Sequence, residues 1–143
     1  MKTLILTLAL LAVTLCRVQS EDQRTAIPAC VEGGFKAYQA NGKEEAAKFW
    51  SKHSTPLSDI FGFPQFLETM SSVDAKYGRP LRIELIREVT ISPSNKFIYI
   101  AWCMENGTLF WEFQCYKPHD EWLIVIGRFG NDKSYLPEGA YSR

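Results

Sequence analysis

Two hydrophobic periods divide the chain. From Ile27 to Tyr77 apolar residues recur every three or four positions, as on one face of a helix, whereas from Leu81 to Phe129 they alternate with polar residues. The first half predicts three helices, at 27–40, at 43–52 and from Pro64 to Tyr77. The second half predicts four strands, at 81–91, 96–104, 108–116 and 122–129. Helices followed by short-turned strands predict an α+β fold, with N-terminal helices packed on a four-stranded antiparallel meander.

Glycine and proline mark the boundaries of these elements. The end of the third helix has the clearest sequence signal, because Gly78 follows its last residue and Pro80 comes two positions later. Gly33-Gly34 lies inside the first helix, where each glycine costs about 1 kcal/mol relative to alanine, and we expect the pair to permit close packing of the helix on the sheet. In the strand at 81–91 the apolar residues share one parity, with Arg87 as the exception.

Asn106-Gly107 predicts a hairpin with a two-residue turn. With this turn, one face carries only apolar pairs, which we expect to pack under the helices: Met104 with Leu109, Trp102 with Trp111, Ile100 with Phe113, and Ile98 with Cys115. The opposite face mixes polar residues with aromatic ones, which predicts an interface for a partner or a second copy of the chain. Its aromatic residues are Phe97, Tyr99, Phe110 and Tyr116.

The first 20 residues resemble a secretory signal. Lys2 precedes an apolar run from Leu4 to Leu15, and small residues before Glu21 suit cleavage at that point. The run is shorter than the ~20 residues that span a bilayer, so no membrane span is predicted. The organisation is therefore a signal peptide at 1–20 and a single domain at 21–143, secreted or periplasmic. In the alternative, Cys16 anchors a lipoprotein.

Charge excludes two classes of partner. The chain has 16 basic and 16 acidic residues, and the predicted signal peptide removes two of the basic ones, Lys2 and Arg17. The remaining domain is slightly acidic and has no basic run or stripe, which argues against nucleic acid as a partner. No polybasic or amphipathic segment points to a membrane surface either.

Three cysteines remain after processing, and their spacing matches neither a zinc nor a haem pattern, so no metal and no cofactor is predicted. Cys103 and Cys115 point to opposite faces of the hairpin. Because Cys115 shares the apolar face with the helices, we expect a Cys30–Cys115 disulfide in an oxidising compartment. The alternative is three buried free thiols.

Two stretches resemble a known family: Tyr77-Gly78 with Pro80 after the third helix, and "FWEFQCYKPHDEWLIVIGRF" at 110–129. Over roughly residues 27–132 the chain resembles nuclear-transport-factor-2-like proteins of the cystatin-like superfamily, especially small exported bacterial members without assigned activity. The resemblance implies a strongly curved sheet that forms a cone with helices, often with a ligand pocket at its open end. Some members are isomerases, dehydratases or hydrolases, and many only bind or dimerise. Those enzymes usually carry an extra hairpin between helices, for which residues 55–63 are barely long enough.

Candidate catalytic groups do not converge. His53 lies on the apolar face of its helix. The other acid–base candidates do not lie on the same side of a pocket as His53: Asp59, Glu68, Glu112 and His119. No catalytic residue is therefore assigned.

We therefore expect a non-catalytic binding or interaction module that holds a small apolar molecule between helices and sheet. The alternatives are an isomerase or lyase that uses His53 with a nearby carboxylate, and a homodimer joined through the outer sheet face. Asn106-Gly107-Thr108 also matches a glycosylation sequon at Asn106. The predicted ligand-binding residues are Trp102, Trp111, Phe113, Tyr77, Met70 and His53.

Overall fold

The computed structural model describes residues 26–56 and 60–139. The predicted signal peptide, the alternative anchor at Cys16 and the candidate Asp59 lie outside these residues. Three helices come first: α1 Ala29–Asn41, α2 Lys43–Lys52 and α3 Pro64–Tyr77. Four strands and a short 3-10 turn follow: β1 Pro80–Ser92, β2 Asn95–Met104, β3 Gly107–Tyr116, β4 Leu123–Gly130, and the turn at Lys133–Tyr135.

The strands form one antiparallel sheet in the order β1-β2-β3-β4, and the helices pack on one of its faces. The predicted α+β class is confirmed. The end of α3 follows its sequence signal, because Gly78 adopts a φ of +74° and its N–H bonds to the carbonyl of Asp74. Within the described residues, no helix combines the length and apolar character needed to cross a membrane.

The core lies between the helices and the inner face of the sheet. Alternate residues of β2 and β3 point into it, and the rings that meet there are almost entirely buried. Phe35 of α1 contacts four of these rings edge-on. The largest side chains with under 2% exposure are Trp50, Trp102, Trp111, Phe61, Phe113 and Met70.

The predicted hairpin register was wrong by two positions. The turn residues are Glu105 and Asn106, so Met104 pairs with Gly107 and Trp102 pairs with Leu109 rather than Trp111. Neither turn residue has a positive φ, whereas Gly107 does at +150°. Because side chains alternate with a period of two, a shift by two changes every partner and leaves each residue on its predicted face.

Three register shifts interrupt β1, which the uniform parity of its apolar residues did not predict. Each irregularity changes which face the following residues present. Ile83 and Leu85 therefore pack on the core, whereas Leu81 and Ile91, at the two ends of the strand, are 51% and 62% exposed.

The glycine pair of α1 faces α2, so the prediction that it permits close packing of this helix on the sheet was wrong. The ring of Phe49 lies against Gly33, and the indole of Trp50 lies against Gly34. The absence of a Cβ at both positions lets the two helices approach closely enough for Trp50 to reach the core.

Candidate functional site

Most of the predicted ligand-binding residues fill the core. Trp111, Phe113 and Met70 are 0% exposed and Trp102 is 1% exposed. The rings of Trp111 and Phe113 are parallel, with centroids 5.2 Å apart. Tyr77 is half-buried at the core margin, with the Lys76 ammonium 5.1 Å from its ring. The structure thus gathers five of the six predicted residues around the core, and His53 lies elsewhere.

One core group lacks a hydrogen-bond partner. The Trp50 indole N–H donates to the carbonyl of Val31 at 3.1 Å, but among the described residues Trp111 Nε1 is buried and without an acceptor. A buried polar group left unpaired costs about 1–3 kcal/mol. Trp111 therefore carries a donor for which the described part of the chain provides no acceptor.

An apolar groove of about 320 Å³ lies between α3 and β4. Two of its side chains are unusually exposed for their type, Ile60 at 42% and Phe63 at 59%. Phe129 lines the groove and stacks on Trp111, with ring centroids 4.3 Å apart. The whole lining is Ile60, Phe63, Gln65, Phe66, Thr69 and Phe129.

The sequence reasoning missed this groove. The available signal was "FGFPQF", three phenylalanines around the proline that begins α3. Phe61 is 1% exposed and Phe66 is 7% exposed, so these two enter the core, whereas Phe63 at the helix N-cap stays in solvent. The spacing predicted helix contacts and could not show which ring would remain outside.

His53 is the C-cap residue of α2 and does not face the core. Its ring stacks on Phe49 at a centroid distance of 4.2 Å, and its Nδ1 lies 2.7 Å from the Phe49 carbonyl oxygen. The backbone N–H of Ile124 donates to the His53 carbonyl at 2.8 Å, which ties the end of α2 to β4. A cavity of about 300 Å³ lies beside His53, and its lining is Ala29, Cys30, Phe49, His53, Asp120, Glu121 and Trp122.

The thiols of Cys30 and Cys115 lie against each other at the inner end of this region. Both are buried, and a hydrogen bond from the Cys115 thiol lowers the pKa of Cys30, with support from backbone groups of the first turn of α1 and from Lys96. The same contact and burial raise the pKa of Cys115. Cys30, Cys103 and Cys115 are all present as thiols.

A cavity of about 680 Å³, open to solvent, lies beside α1 and α3. On its wall the buried Tyr38 hydroxyl donates to the Asp74 carboxylate, and the Lys43 ammonium lies 3.6 Å from the same carboxylate. Burial and the Asp74 carboxylate raise the pKa of Tyr38. Tyr38 thus keeps its proton at neutral pH and ties α1 to α3.

The outer sheet face is less exposed than its sequence suggested. Tyr99 is 8% exposed and Phe97 and Phe110 are half-buried, so Tyr116, at 38%, is the most open of the four predicted interface residues. Beside them the buried Glu112 carboxylate accepts a hydrogen bond of 2.7 Å from Arg128. Burial raises the pKa of Tyr99, and the neighbouring Glu112 carboxylate raises it further.

The remaining candidates are scattered. Glu68 and His119 are exposed and Glu112 lies on the outer face, so none of them joins His53. Asn106 is exposed in the hairpin turn, with its backbone N–H bonded to the Tyr77 carbonyl at 2.9 Å. Within 26–56 and 60–139 there is no group of three or more histidine, cysteine or acidic side chains that could hold a metal ion.

Comparison with known proteins adds no relative to this picture. No protein-family model matches the chain, and no curated protein and no solved structure matches it either.

Proposed function

We propose that the chain is a non-catalytic binding module that takes a small apolar molecule in the groove between α3 and β4. The observation that carries this proposal is the exposure of Ile60 and Phe63, at 42% and 59%, beside Phe129. Isolated exposed apolar side chains are common, but here two border one concave surface. At about 320 Å³ the groove is at the lower end of the volumes of small-molecule sites.

The ligand carries a hydrogen-bond acceptor as well as an apolar body. Gln65 and Thr69 add polar groups to the groove lining, and the Trp111 indole stacks on the Phe129 ring that forms part of this lining. The unpaired Trp111 N–H gains a partner when a ligand carbonyl reaches it past Phe129. This supports a ketone, ester or similar molecule over a pure hydrocarbon.

The family and the compartment that the sequence predicts belong to the same proposal. Three helices followed by a four-stranded meander, with bulges in β1 and β4, support a nuclear-transport-factor-2-like fold with a curved sheet. A binding module of this kind acts outside the cytoplasm, in the secreted or periplasmic location that residues 1–20 predict.

Two probes of nearly equal shape test the proposal: 2-acetylnaphthalene, which has a carbonyl, and 2-ethylnaphthalene, which lacks it. The chain has four tryptophans, so a proton–nitrogen correlation spectrum resolves their indole N–H signals, and Trp111→Phe assigns one of them. We expect the ketone to shift the Trp111 signal and to bind more tightly than the hydrocarbon.

Phe63→Ser should weaken binding of the ketone at least tenfold, because Phe63 contributes apolar surface to the groove. Ile91→Ser is the matched control, since Ile91 is 62% exposed against 59% for Phe63 and lies on β1 away from the groove. Equal affinities of both variants, or a ketone that leaves every indole signal in place, would refute the proposal.

A second candidate is an isomerase or lyase that uses His53. The cavity beside His53 favours it, because Asp120 and Glu121 of the β3–β4 connection line the same space. Turnover that His53→Ala abolishes, in a variant that keeps the wild-type circular dichroism spectrum, would establish this function in place of simple binding.

A further inference from the structure

Two cysteines far apart in sequence meet at one end of the core. Cys30 lies in the first turn of α1, and Cys115 lies on the inner face of β3. They are 3% and 0% exposed, and their thiols are in hydrogen-bonding contact. Cys103 lies on the opposite face of the sheet, where it pairs with Thr108, so it cannot reach either of them.

The two thiols differ in access. Cys30 forms part of the wall of the 300 Å³ cavity beside His53, whereas Cys115 has no exposed surface and is covered by α1. A small molecule that enters the cavity therefore meets Cys30 before Cys115. Phe49, Trp122 and two acidic side chains form other parts of the same wall.

A cation stands beside the pair. Lys96 is the cross-strand partner of Cys115, and its ammonium lies 3.3 Å from Glu88 and 4.5 Å from the centre of the Trp122 ring. The Lys96 side chain is 12% exposed and that of Glu88 is 18% exposed, so solvent screens this charge less than a surface charge. Lys96 lowers the pKa of both neighbouring thiols, whereas the paired Glu88 carboxylate raises the pKa of Cys115.

We propose that Cys30 and Cys115 form a reversible disulfide by exchange with a small disulfide compound, with Cys30 as the attacking sulfur and Cys115 as the resolving sulfur. The Cys30 thiolate attacks one sulfur of the compound, which breaks the compound's S–S bond and releases one thiolate. Cys115 then loses its proton to water and attacks the Cys30 sulfur, which forms the protein disulfide and releases the second thiolate. The chain loses two electrons and two protons, and the compound gains the electrons as two thiols.

Oxidised glutathione is the probe. The purified native protein is incubated with it, quenched with N-ethylmaleimide and weighed intact, and its peptides are then mapped. After subtraction of the added maleimide we expect a mass about 2 Da below that of the reduced chain, one cross-linked peptide pair that contains Cys30 and Cys115, and alkylation of Cys103 alone among these three cysteines. In Cys115→Ala we expect the reaction to stop at a glutathione adduct of about 305 Da on Cys30.

Cys30→Ala is the matched variant, because it leaves the buried Cys115 as the single core thiol, and we expect no adduct on it while the protein is folded. Cys103→Ala should behave as the wild type. The proposal is overturned if the native wild type keeps three alkylatable thiols, if Cys103 enters the cross-link, or if Cys115 takes up glutathione in the folded Cys30→Ala protein. The wild-type measurement decides the matter even where a variant does not fold.

Discussion

Alanine at Gly34 should destabilise the protein, although alanine is the better helix residue. A Cβ at this position would lie 2.0 Å from both Nε1 and Cε2 of Trp50, far inside van der Waals contact. Trp50 has no room to retreat. It is 0% exposed, and the rings of Phe61, Phe66 and Trp111 contact it at centroid distances of 5.2, 6.0 and 5.4 Å.

The expected change in the free energy of unfolding follows from two costs and one gain. Forcing a methyl group into a packed core costs about 1–3 kcal/mol. Moving the indole breaks the Trp50 N–H bond to the Val31 carbonyl, and a buried donor left unpaired costs about 1–3 kcal/mol more. Replacing a helical glycine returns about 1 kcal/mol. We expect a net loss of about 3 kcal/mol in the free energy of unfolding, a large share of the typical ~5–15 kcal/mol.

Urea unfolding followed by circular dichroism measures this loss, and Gly33→Ala is the matched control. A Cβ at Gly33 would lie 2.2 Å from Cζ of Phe49, which is the far end of a half-buried ring that can swing aside. Gly33→Ala should therefore lose at least about 2 kcal/mol less than Gly34→Ala. If Gly34→Ala is as stable as the wild type, the close approach of α1 and α2 at Trp50 is wrong.

Three further measurements follow from the structure. A disulfide between Cys30 and Cys115 would close a loop of about 85 residues and stabilise the fold by up to about 4–5 kcal/mol. Reductant should therefore lower the urea midpoint of the oxidised protein and leave that of Cys115→Ala unchanged. A wild-type midpoint that reductant does not change would contradict this. Because the folded-state pKa of Tyr38 is raised, its contribution to stability is complete below about pH 10 and is lost as the pH rises further, so Tyr38→Phe should flatten the alkaline fall in the free energy of unfolding. An unchanged alkaline slope in that variant would rule Tyr38 out as its source. If the outer sheet face joins two copies, Tyr116→Glu should give a monomer by light scattering, and a wild type that is monomeric at every concentration would exclude that dimer.

Local signals were sufficient for the elements of this fold. The ends of α2 and α3 agree with their predicted positions because a glycine with positive φ and a proline act on the residues beside them. The faces of β2 and β3 were also predicted correctly, because alternation along a strand is a property of neighbouring residues. Even the two-residue error at the hairpin turn left those faces intact.

The candidate site could not be read in the same way. Trp102 and Trp111 were assigned to a pocket, but whether aromatic rings line a cavity or fill it depends on what packs above them, and here Phe35 and Trp50 of the helices do so. The position of Trp50 depends in turn on the missing Cβ of Gly34, 16 residues away. No local window contains both.

The sequence sets the order of three helices and four strands, the side chains on each face of the hairpin and the position of Cys115 toward the helices, because all of these follow from periodicity and turn chemistry. Packing sets the rest: the bulges of β1, the meeting of Cys30 with Cys115, and the groove at Phe63. These features depend on contacts between residues distant in the chain, and such contacts exist only once the helices cover the sheet.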